Sequence, residues 1–175
     1  GRTARTTTKT ASLFAYQARY DMSKGLPWVS RKFVSPKAVL AEMVWFLSGD
    51  TWNDSLTKQG VHIWSPWATA EECAKFGRDA GDFGPIYGHQ WRHFGADYPA
   101  TEGQGVDQLA YVIDLLRRDP HSRRMVVSGW HAQQAHDVTL PPCHTLFQFY
   151  VNREEKLCCA LTSRSLDAFV GGPFN

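Results

Sequence analysis

Apolar residues recur every three or four positions between residues 37 and 47, which is the spacing of one helix face. Ser35-Pro36 directly before this segment matches an N-cap followed by proline at the first helical position. Gly49, followed by an aspartate, matches a helix end. The pattern therefore predicts a helix over residues 37–47, whose apolar spacing comes from Val39, Leu40, Met43, Val44, Phe46 and Leu47.

Three more segments are predicted to be helical. Residues 106–118 are amphipathic at helical spacing and are closed by Asp119-Pro120. Residues 53–59 and 69–76 match shorter helices. Residues 78–103 are rich in glycine and aromatic residues and show no clean period, so the pattern assigns no element there.

Four segments have the composition and alternation of strands: residues 12–20, 125–130, 145–151 and 157–161. Helices that alternate with strands favour an α/β or α+β sheet protein. The sequence contains no repeat, linker or low-complexity segment, so a single domain is expected.

The composition narrows the class of protein. Of the 175 residues, 43% are hydrophobic and 21% charged, as in an ordinary soluble globular domain. The net charge of +2 arises from scattered basic and acidic residues, so a nucleic-acid partner is not expected. No apolar run approaches the ~20 residues that span a bilayer, and no signal-peptide pattern opens the chain. The four cysteines lack disulfide or metal-ligand spacing, which predicts reduced thiols, no bound metal and a cytoplasmic location.

Cys143 is the strongest candidate for chemistry. Pro141-Pro142 hold the backbone before it extended, and the predicted strand 145–151 begins just after it. A thiol at the mouth of a strand can meet a ligand and act as a nucleophile, with His144 beside it. A small buried cysteine is the alternative, since free cysteines are among the most buried residues.

Glu42 and a pair of tryptophans each allow two interpretations. Glu42 lies between Leu40 and Met43, which have core spacing, so it is either a buried acid–base group with a raised pKa or part of a solvated face. Trp64 and Trp67 could stack on a planar ligand, although core packing is the commoner use of such a pair.

Three further segments carry candidate ligand-binding groups. Glycines on either side of Tyr87 either present its phenol to a cavity or form a plain turn. The guanidinium forks of Arg123-Arg124 suit a phosphate, with surface salt bridges as the alternative. Arg164-Ser165 also suits a phosphate, and the amide of Asn175, after a Gly-Gly-Pro turn, suits the edge of a base.

Taken in order, these motifs resemble the thymidylate synthase family, which includes the phage pyrimidine-nucleotide hydroxymethylases. The resemblance runs from about Arg5 to Asn175. It implies an α/β (α+β) fold with a mixed, twisted sheet flanked by helices, whose sheet face is used for dimerisation. The matching motifs are Trp45-Phe-Leu-x-Gly-Asp, Ile63-Trp64-x-x-Trp67, Gly84-Pro-x-Tyr87-Gly-x-Gln-Trp91-Arg, Ser122-Arg-Arg, Pro142-Cys-His and Arg164-Ser-x-Asp-x-Phe-x-Gly-x-Pro-Phe-Asn175.

The resemblance also implies a mechanism. Cys143 would add to C6 of a uracil nucleotide, because C5 is a poor nucleophile until this addition creates an enolate. A thiol is mostly un-ionised at neutral pH, so nearby positive charge has to activate it, and Arg164 holds that position in the family. Glu42, Tyr87 and His144 match the residues that organise proton transfers through ordered water.

The resemblance assigns contacts to the substrate as well. Arg123 and Arg124 would reach into the partner's site, which implies a homodimer. Asn175 matches the residue whose amide pairs with O4 and N3–H of uracil, whereas cytosine-reading members carry aspartate there, so dUMP is the expected substrate. Asp167 matches a position that, in the family, is assigned to binding of both the substrate and the folate. The phosphate-binding positions are matched by Arg5, Arg123, Arg124, Arg164 and Ser165.

The implied co-substrate is 5,10-methylenetetrahydrofolate, and the expected location is the cytoplasm, or the host cytoplasm for a viral protein. Hydride from the folate would complete the methyl group of dTMP, whereas water would give 5-hydroxymethyl-dUMP. A non-catalytic fragment or an RNA-binding homologue is the third hypothesis. The folate-site positions are matched by Ile63, Trp64, Trp67, Leu140, Asp167 and Gly171.

The chain departs from the family at several positions. Phe33 and Ser35 stand where many members carry a basic residue and a histidine that help to bind folate. Ser163 lies in a Leu-Thr-Ser-Arg run that replaces the usual Leu-Tyr-Gln-Arg, so the surroundings of Arg164 are altered. Members continue beyond the position of Asn175. The expectation is a single catalytic domain over residues 1–175 that lacks its C-terminal part.

Overall fold

A computed structural model of the chain describes residues 2–3, 10–29, 31–169 and 171–172. The chain divides into two compact units, residues 1–33 and 34–175. Two 3₁₀ turns, Met22–Lys24 and Ser65–Trp67, accompany the helices and strands. These are β1 (Arg2–Thr3), β2 (Thr10–Ala11), α1 (Pro36–Ser48), α2 (Asp54–Thr57), α3 (Ala70–Ala74), α4 (Tyr87–Arg92), α5 (Gln108–Arg118), β3 (Val126–Ser128), β4 (His144–Val151) and β5 (Leu157–Ser163).

The first unit has little regular structure among its described residues. β1 and β2 form a two-residue antiparallel pair. The strand predicted over residues 12–20 is wrong, because these residues pair with no strand of the described chain and strands need a ladder partner. Ala15 also has a φ of 58°, which interrupts an extended run.

The predicted helices of the second unit are confirmed with small changes at their ends. The Ser35 side chain caps α1 by accepting a hydrogen bond from Ala38 N–H, and Gly49 ends the helix at a φ of 83°. Asp107 caps α5 in the same way. The two short helices are present as α2 and α3.

The buried face of α1 differs from the expected one. Ala38, Ala41, Trp45 and Phe46 are buried, whereas Leu40, Met43, Val44 and Leu47 are exposed. The core spacing assumed for Leu40 and Met43 is therefore wrong. The helix carries apolar residues around much of its circumference, so spacing alone does not select the packed side, and the side with two alanines allows a close approach.

Helix α4 was not predicted, and it is the most deeply buried helix of the second unit. Five of its six residues are buried, and two of these, His89 and Gln90, are polar, so the buried side shows no apolar period. Gly88 permits its packing, because an added Cβ would lie 2.8 Å from the Gly49 carbonyl carbon and closer still to the Asp50 oxygen.

The second unit also contains a three-stranded sheet in the order β3-β4-β5. Both pairs are antiparallel, so the expected mixed sheet is not found among the described strands. A short turn joins β4 directly to β5, which favours antiparallel pairing. The register between β4 and β5 shifts between His144 and Leu146, beside Cys143.

The core of the second unit is rich in aromatic rings. Trp45, Phe46 and Trp64 pack edge-to-face or tilted against one another, with centroids 5.3–5.9 Å apart. Tyr87 joins them at 4.7 Å from Phe46. In the described part of the chain, no helix is long and apolar enough to cross a membrane.

Candidate active site

The antiparallel sheet brings three separated parts of the sequence to one end. β3 finishes, β4 starts and β5 finishes at this end, as the pairings Ser128–Leu146 and His144–Ser163 show. Trp130, Cys143 and Arg164 each lie within two residues of these strand ends. The topology alone thus places the candidate nucleophile next to the candidate phosphate arginine.

Tyr87 connects α4 to the cysteine. Its hydroxyl oxygen accepts hydrogen bonds from the backbone N–H of Cys143 at 2.7 Å and of His144 at 3.1 Å. Burial raises the pKa of Tyr87 to about 12, and the nearby Cys143 and Glu42 also raise it, against the effect of the two N–H donors. These two bonds use the lone pairs of the phenol oxygen, so its O–H hydrogen remains available to donate.

Arg164 is held at the entrance to β4. Its Nε donates to the Pro142 carbonyl at 2.8 Å, and its Nη2 donates to the Pro141 carbonyl at 2.9 Å. Its backbone N–H donates to the Cys143 carbonyl at 2.9 Å. The guanidinium is thereby fixed to the two prolines before Cys143.

Ser163, one of the departures from the family, also contacts this segment. Its hydroxyl lies 3.2 Å from the Cys143 carbonyl and 2.9 Å from the Ser165 carbonyl. The serine therefore supports the strand end that carries Arg164. Ser35, the other polar departure, is occupied by capping α1.

Glu42 is on the partly buried side of α1, not in a solvated face. It accepts a 2.5 Å hydrogen bond from the indole Nε1–H of Trp64. Burial raises the pKa of Glu42, and the bond from Trp64 opposes that rise. Glu42, Trp64, Tyr87 and Cys143 thus form a continuous series of contacts into the sheet end, with the Trp64 and Tyr87 ring centroids 6.4 Å apart.

His144 lies beside the phenol. Its ring is half-buried, with its centroid 5.6 Å from that of Tyr87 and 6.2 Å from that of Phe147. The structure therefore brings together Glu42, Tyr87, Cys143, His144 and Arg164, the five residues predicted to be catalytic.

The predicted folate positions divide into buried and exposed groups. Trp64 is buried, while Trp67 is 39% exposed and its ring lies edge-to-face with Trp64 at 6.3 Å. Ile63 and Leu140 are partly buried against the core. An exposed indole beside apolar side chains suits a flat aromatic ligand, and Trp67 is the member of the pair that offers its surface.

Arg123 and Arg124 lie away from Cys143. They line a cavity of ≈490 Å³ together with Arg118 and His121. Met125 pairs with Phe149, so the two arginines lie near the far end of β4, roughly 20 Å from Cys143 at ~3.3 Å per residue. The structure does not bring this pair to the same site as Arg164.

The remaining predicted residues either contact only their own segment or lie outside the described residues. Asp167 accepts a hydrogen bond from Phe169 N–H through its side chain and from Gly172 N–H through its carbonyl. Gly171 is half-buried. Arg5 and Asn175 lie outside the described residues. Within the described residues, no cluster of three or more His, Cys, Asp or Glu side chains could hold a metal ion.

Two residues of the site were not predicted. The ring of Trp130 lies 5.4 Å from the Arg164 guanidinium carbon. At Gly129 an added Cβ would lie 2.6 Å from the His144 carbonyl oxygen, so only glycine fits there. Both lie at the end of the predicted strand 125–130, and an assumed antiparallel pairing of this strand with the strand after Cys143 would have revealed them.

The sheet end, with its thiol, phenol and guanidinium, defines a candidate nucleophilic site for an anionic substrate. A family model described as thymidylate synthase matches residues 1–175. The chain belongs to the thymidylate synthase family. Membership supports a methyltransferase-type activity on dUMP, and the family uses methylenetetrahydrofolate.

Proposed function

We propose that the protein transfers a one-carbon unit from 5,10-methylenetetrahydrofolate to C5 of dUMP and reduces it to the methyl group of dTMP. The observation that carries this proposal is the Tyr87 hydroxyl bound to the N–H groups of Cys143 and His144, beside Arg164. In a thymidylate synthase family chain, this arrangement supports addition of a thiolate to a pyrimidine.

Cys143 performs the covalent step. Its sulfur forms a bond to C6 of dUMP, and the C5–C6 electron pair moves towards O4 to give an enolate, which makes C5 nucleophilic. Once the one-carbon unit is bonded to C5, C5 loses its proton and the carbon–nitrogen bond to tetrahydrofolate breaks, which leaves a methylene group on C5. Hydride from tetrahydrofolate then adds to this methylene as the sulfur–C6 bond breaks, so the methyl group, the ring double bond, the thiolate and dihydrofolate are formed. Arg164, bound to the carbonyls of the two prolines that precede Cys143, is the cation that would favour the thiolate.

Tyr87 and Glu42 act in hydrogen bonding and proton transfer. With a pKa of about 12, Tyr87 keeps its proton at neutral pH and can donate a hydrogen bond into the site. The raised pKa of Glu42 brings this carboxyl closer to neutral pH, where an acid–base group is most effective. His144, beside Tyr87, takes part in the same water-mediated network.

Arg164 and Ser165 bind the phosphate within one chain. Arg164 uses two of its five N–H groups on the proline carbonyls, which leaves three for ligands. Arg123 and Arg124, at the other end of β3, complete the phosphate site of a partner subunit, so the protein works as a homodimer. Asn175 reads the uracil base.

The folate occupies the surface beside Trp67. Methylenetetrahydrofolate supplies the one-carbon unit and the hydride. Trp67 offers an exposed ring to it, and Trp64 orients Glu42 through its indole N–H. Ile63 and Leu140 add apolar surface, and Asp167 and Gly171 border the same site.

Product analysis tests the proposal. The protein is incubated with dUMP and methylenetetrahydrofolate, and the nucleotide mass and dihydrofolate are measured. We expect dTMP and dihydrofolate in equal amounts, with neither formed by a Cys143→Ser control. Formation of 5-hydroxymethyl-dUMP without dihydrofolate would show that water, not hydride, adds in the last step. Binding of both ligands with no conversion would overturn the catalytic proposal.

A further inference from the structure

The Arg164 guanidinium is fixed along its edges but is otherwise exposed. Two carbonyl acceptors hold Nε and Nη2, and the side chain reaches the surface. Hydrogen bonds at an exposed position compete with water, so each contributes little alone. Two bonds along the edges of a planar group also leave it free to tilt about them. A third contact, away from these two bonds, is what removes this freedom.

Trp130 provides that contact. Its ring centroid lies 5.4 Å from the guanidinium carbon of Arg164, within the ≈6 Å range of a cation–π interaction. Trp130 is half-buried, so its ring is shielded from solvent more than an exposed side chain would be. Partial desolvation strengthens the attraction between a cation and a ring face.

The backbone of Trp130 is itself fixed to the sheet. The Ser128 hydroxyl donates to the Trp130 carbonyl at 3.0 Å and accepts from the Trp130 N–H at 3.2 Å. Gly129 N–H donates to the Thr145 carbonyl at 3.0 Å. The indole is therefore anchored to the end of β3, while Arg164 follows the end of β5, on the other side of β4.

We propose that Trp130 is a positioning residue, whose ring holds the Arg164 guanidinium in the orientation that binds the substrate phosphate and faces Cys143. This inference rests on the proposed role of Arg164. It adds a residue that belongs to none of the six motifs and that touches neither substrate nor folate in the proposed mechanism. Trp130 acts through Arg164 alone.

The test compares two substitutions of Trp130. Trp130→Leu keeps apolar volume but removes the ring face, whereas Trp130→Phe keeps a ring. We expect the Leu variant to bind dUMP about 3- to 30-fold more weakly, the factor that a cation–π interaction contributes. The affinity for deoxyuridine, which has no phosphate, should stay unchanged, and the Phe variant should lie close to wild type. Trp52→Leu, which removes an indole between α1 and α2, is the matched control and should bind dUMP normally.

A second readout uses the thiol without substrate. The alkylation rate of Cys143 by iodoacetamide, measured by mass spectrometry of its peptide, should fall in Trp130→Leu and recover in Trp130→Phe. A structural role alone would not give a loss that depends on the phosphate and on the ring. If the Leu variant does not fold, site-specific fluorinated tryptophans at position 130 replace it, because fluorine weakens the ring face at nearly constant shape. Affinity for dUMP should then fall with each added fluorine, and a constant affinity would overturn the inference.

Arg164→Ala separates this inference from the proposed function. If Arg164→Ala leaves the preference for dUMP over deoxyuridine unchanged, the phosphate role of Arg164 fails, and the Trp130 inference fails with it. If Arg164→Ala removes that preference but Trp130→Leu behaves as wild type, only the positioning role is overturned. Equal losses for dUMP and deoxyuridine in Trp130→Leu would also overturn it.

Discussion

Tyr87 shows how much a single residue of this site depends on contacts that are distant in sequence. Its hydroxyl accepts the N–H groups of Cys143 and His144, more than fifty residues away. The flanking glycines predicted an aromatic ring presented to a cavity or a plain turn. The structure gives it a place in a buried helix, where its oxygen orients the backbone of Cys143 and His144.

Cys143→Ser should abolish turnover and leave the fold and much of the nucleotide binding intact. A serine hydroxyl is far less ionised than a thiol at neutral pH, so addition to C6 fails. Steady-state rates and the dUMP affinity of the variant check this. Retention of more than about a tenth of the wild-type rate would contradict covalent catalysis by this residue.

Glu42→Gln should lose activity yet gain stability at neutral pH. Burial raises the pKa of Glu42, so folding favours the protonated form, and the stability that this form contributes at low pH is lost as the pH rises through the raised pKa. Glutamine stays uncharged, and its carbonyl can still accept the Trp64 N–H. We expect a Tm about 2–4 °C higher, the effect of ~1 kcal/mol at this chain length.

The pH dependence of this difference is the control. Thermal melts of both proteins should diverge as the pH rises from about 4.5 to 8 and should approach each other at the acidic end. A Gln variant that is less stable than wild type at pH 8 would mean that Glu42 is ionised and well stabilised in the fold.

At the level of elements, the sequence predicted those features that neighbouring residues specify, such as helix ends. The start of α1 follows from Ser35-Pro36, and its end from Gly49, because caps are local features. The strands before and after the β4–β5 turn were also predicted. The buried side of α1 was not, because it depends on which neighbours pack against the helix.

Helix α4 escaped prediction for a related reason. Its buried side includes polar residues, so no apolar period marks the helix, and Gly84-Pro85 shortly before it indicate a turn. Its position is fixed by close packing of Gly88 on residues 49–50. The element that carries Tyr87 is thus specified by tertiary contacts.

Gly88→Ala should therefore destabilise the protein, although glycine to alanine inside a helix is normally stabilising by ~0.5–1 kcal/mol. The added Cβ would meet the backbone of Gly49 and Asp50, which cannot move aside as a flexible side chain could. We expect a loss of up to about 3 kcal/mol in urea unfolding.

Gly77→Ala is the comparison for this variant. Nothing lies within 4 Å of a Cβ at Gly77, so only the strain of its φ of 67° applies, about 1–2 kcal/mol. A Gly88→Ala variant as stable as wild type would show that α4 can shift away from the end of α1.

At the level of the whole molecule, the antiparallel sheet decides which residues meet. The sequence motifs named Cys143 and Arg164 separately, and the shared strand end brings them together. The same topology separates Arg123 and Arg124 from them. The sequence could not show this separation from spacing alone, because it depends on strand order and direction.

Acid should destabilise the fold through His89. Its side chain is only 2% exposed, and burial lowers its pKa. Folding thus favours the neutral imidazole, so the full stability is present above the unfolded pKa of about 6.5 and falls as the pH drops below it. Urea unfolding between pH 8 and 5 should show this decline, and His89→Gln should flatten it. An equal slope in the variant would assign the decline to other groups.

The position of Arg123 at the far end of β3 leads to a test of the homodimer. Arg123→Ala should weaken binding of dUMP but not of deoxyuridine, since a charged hydrogen bond to phosphate is worth about 1.5–3 kcal/mol. Arg117→Ala, an exposed arginine in the last turn of α5, is the matched control and should bind as wild type.

Mixing Arg123→Ala with Cys143→Ser then distinguishes a site built by one chain from a site shared between two. In a two-fold dimer with exchanged subunits, half of the molecules are mixed, and each has one site with an intact cysteine and an intact partner arginine. About a quarter of the wild-type activity should therefore return, because each mixed dimer contributes one of two sites. If demonstrated subunit exchange restores no activity, Arg123 does not serve the neighbouring subunit.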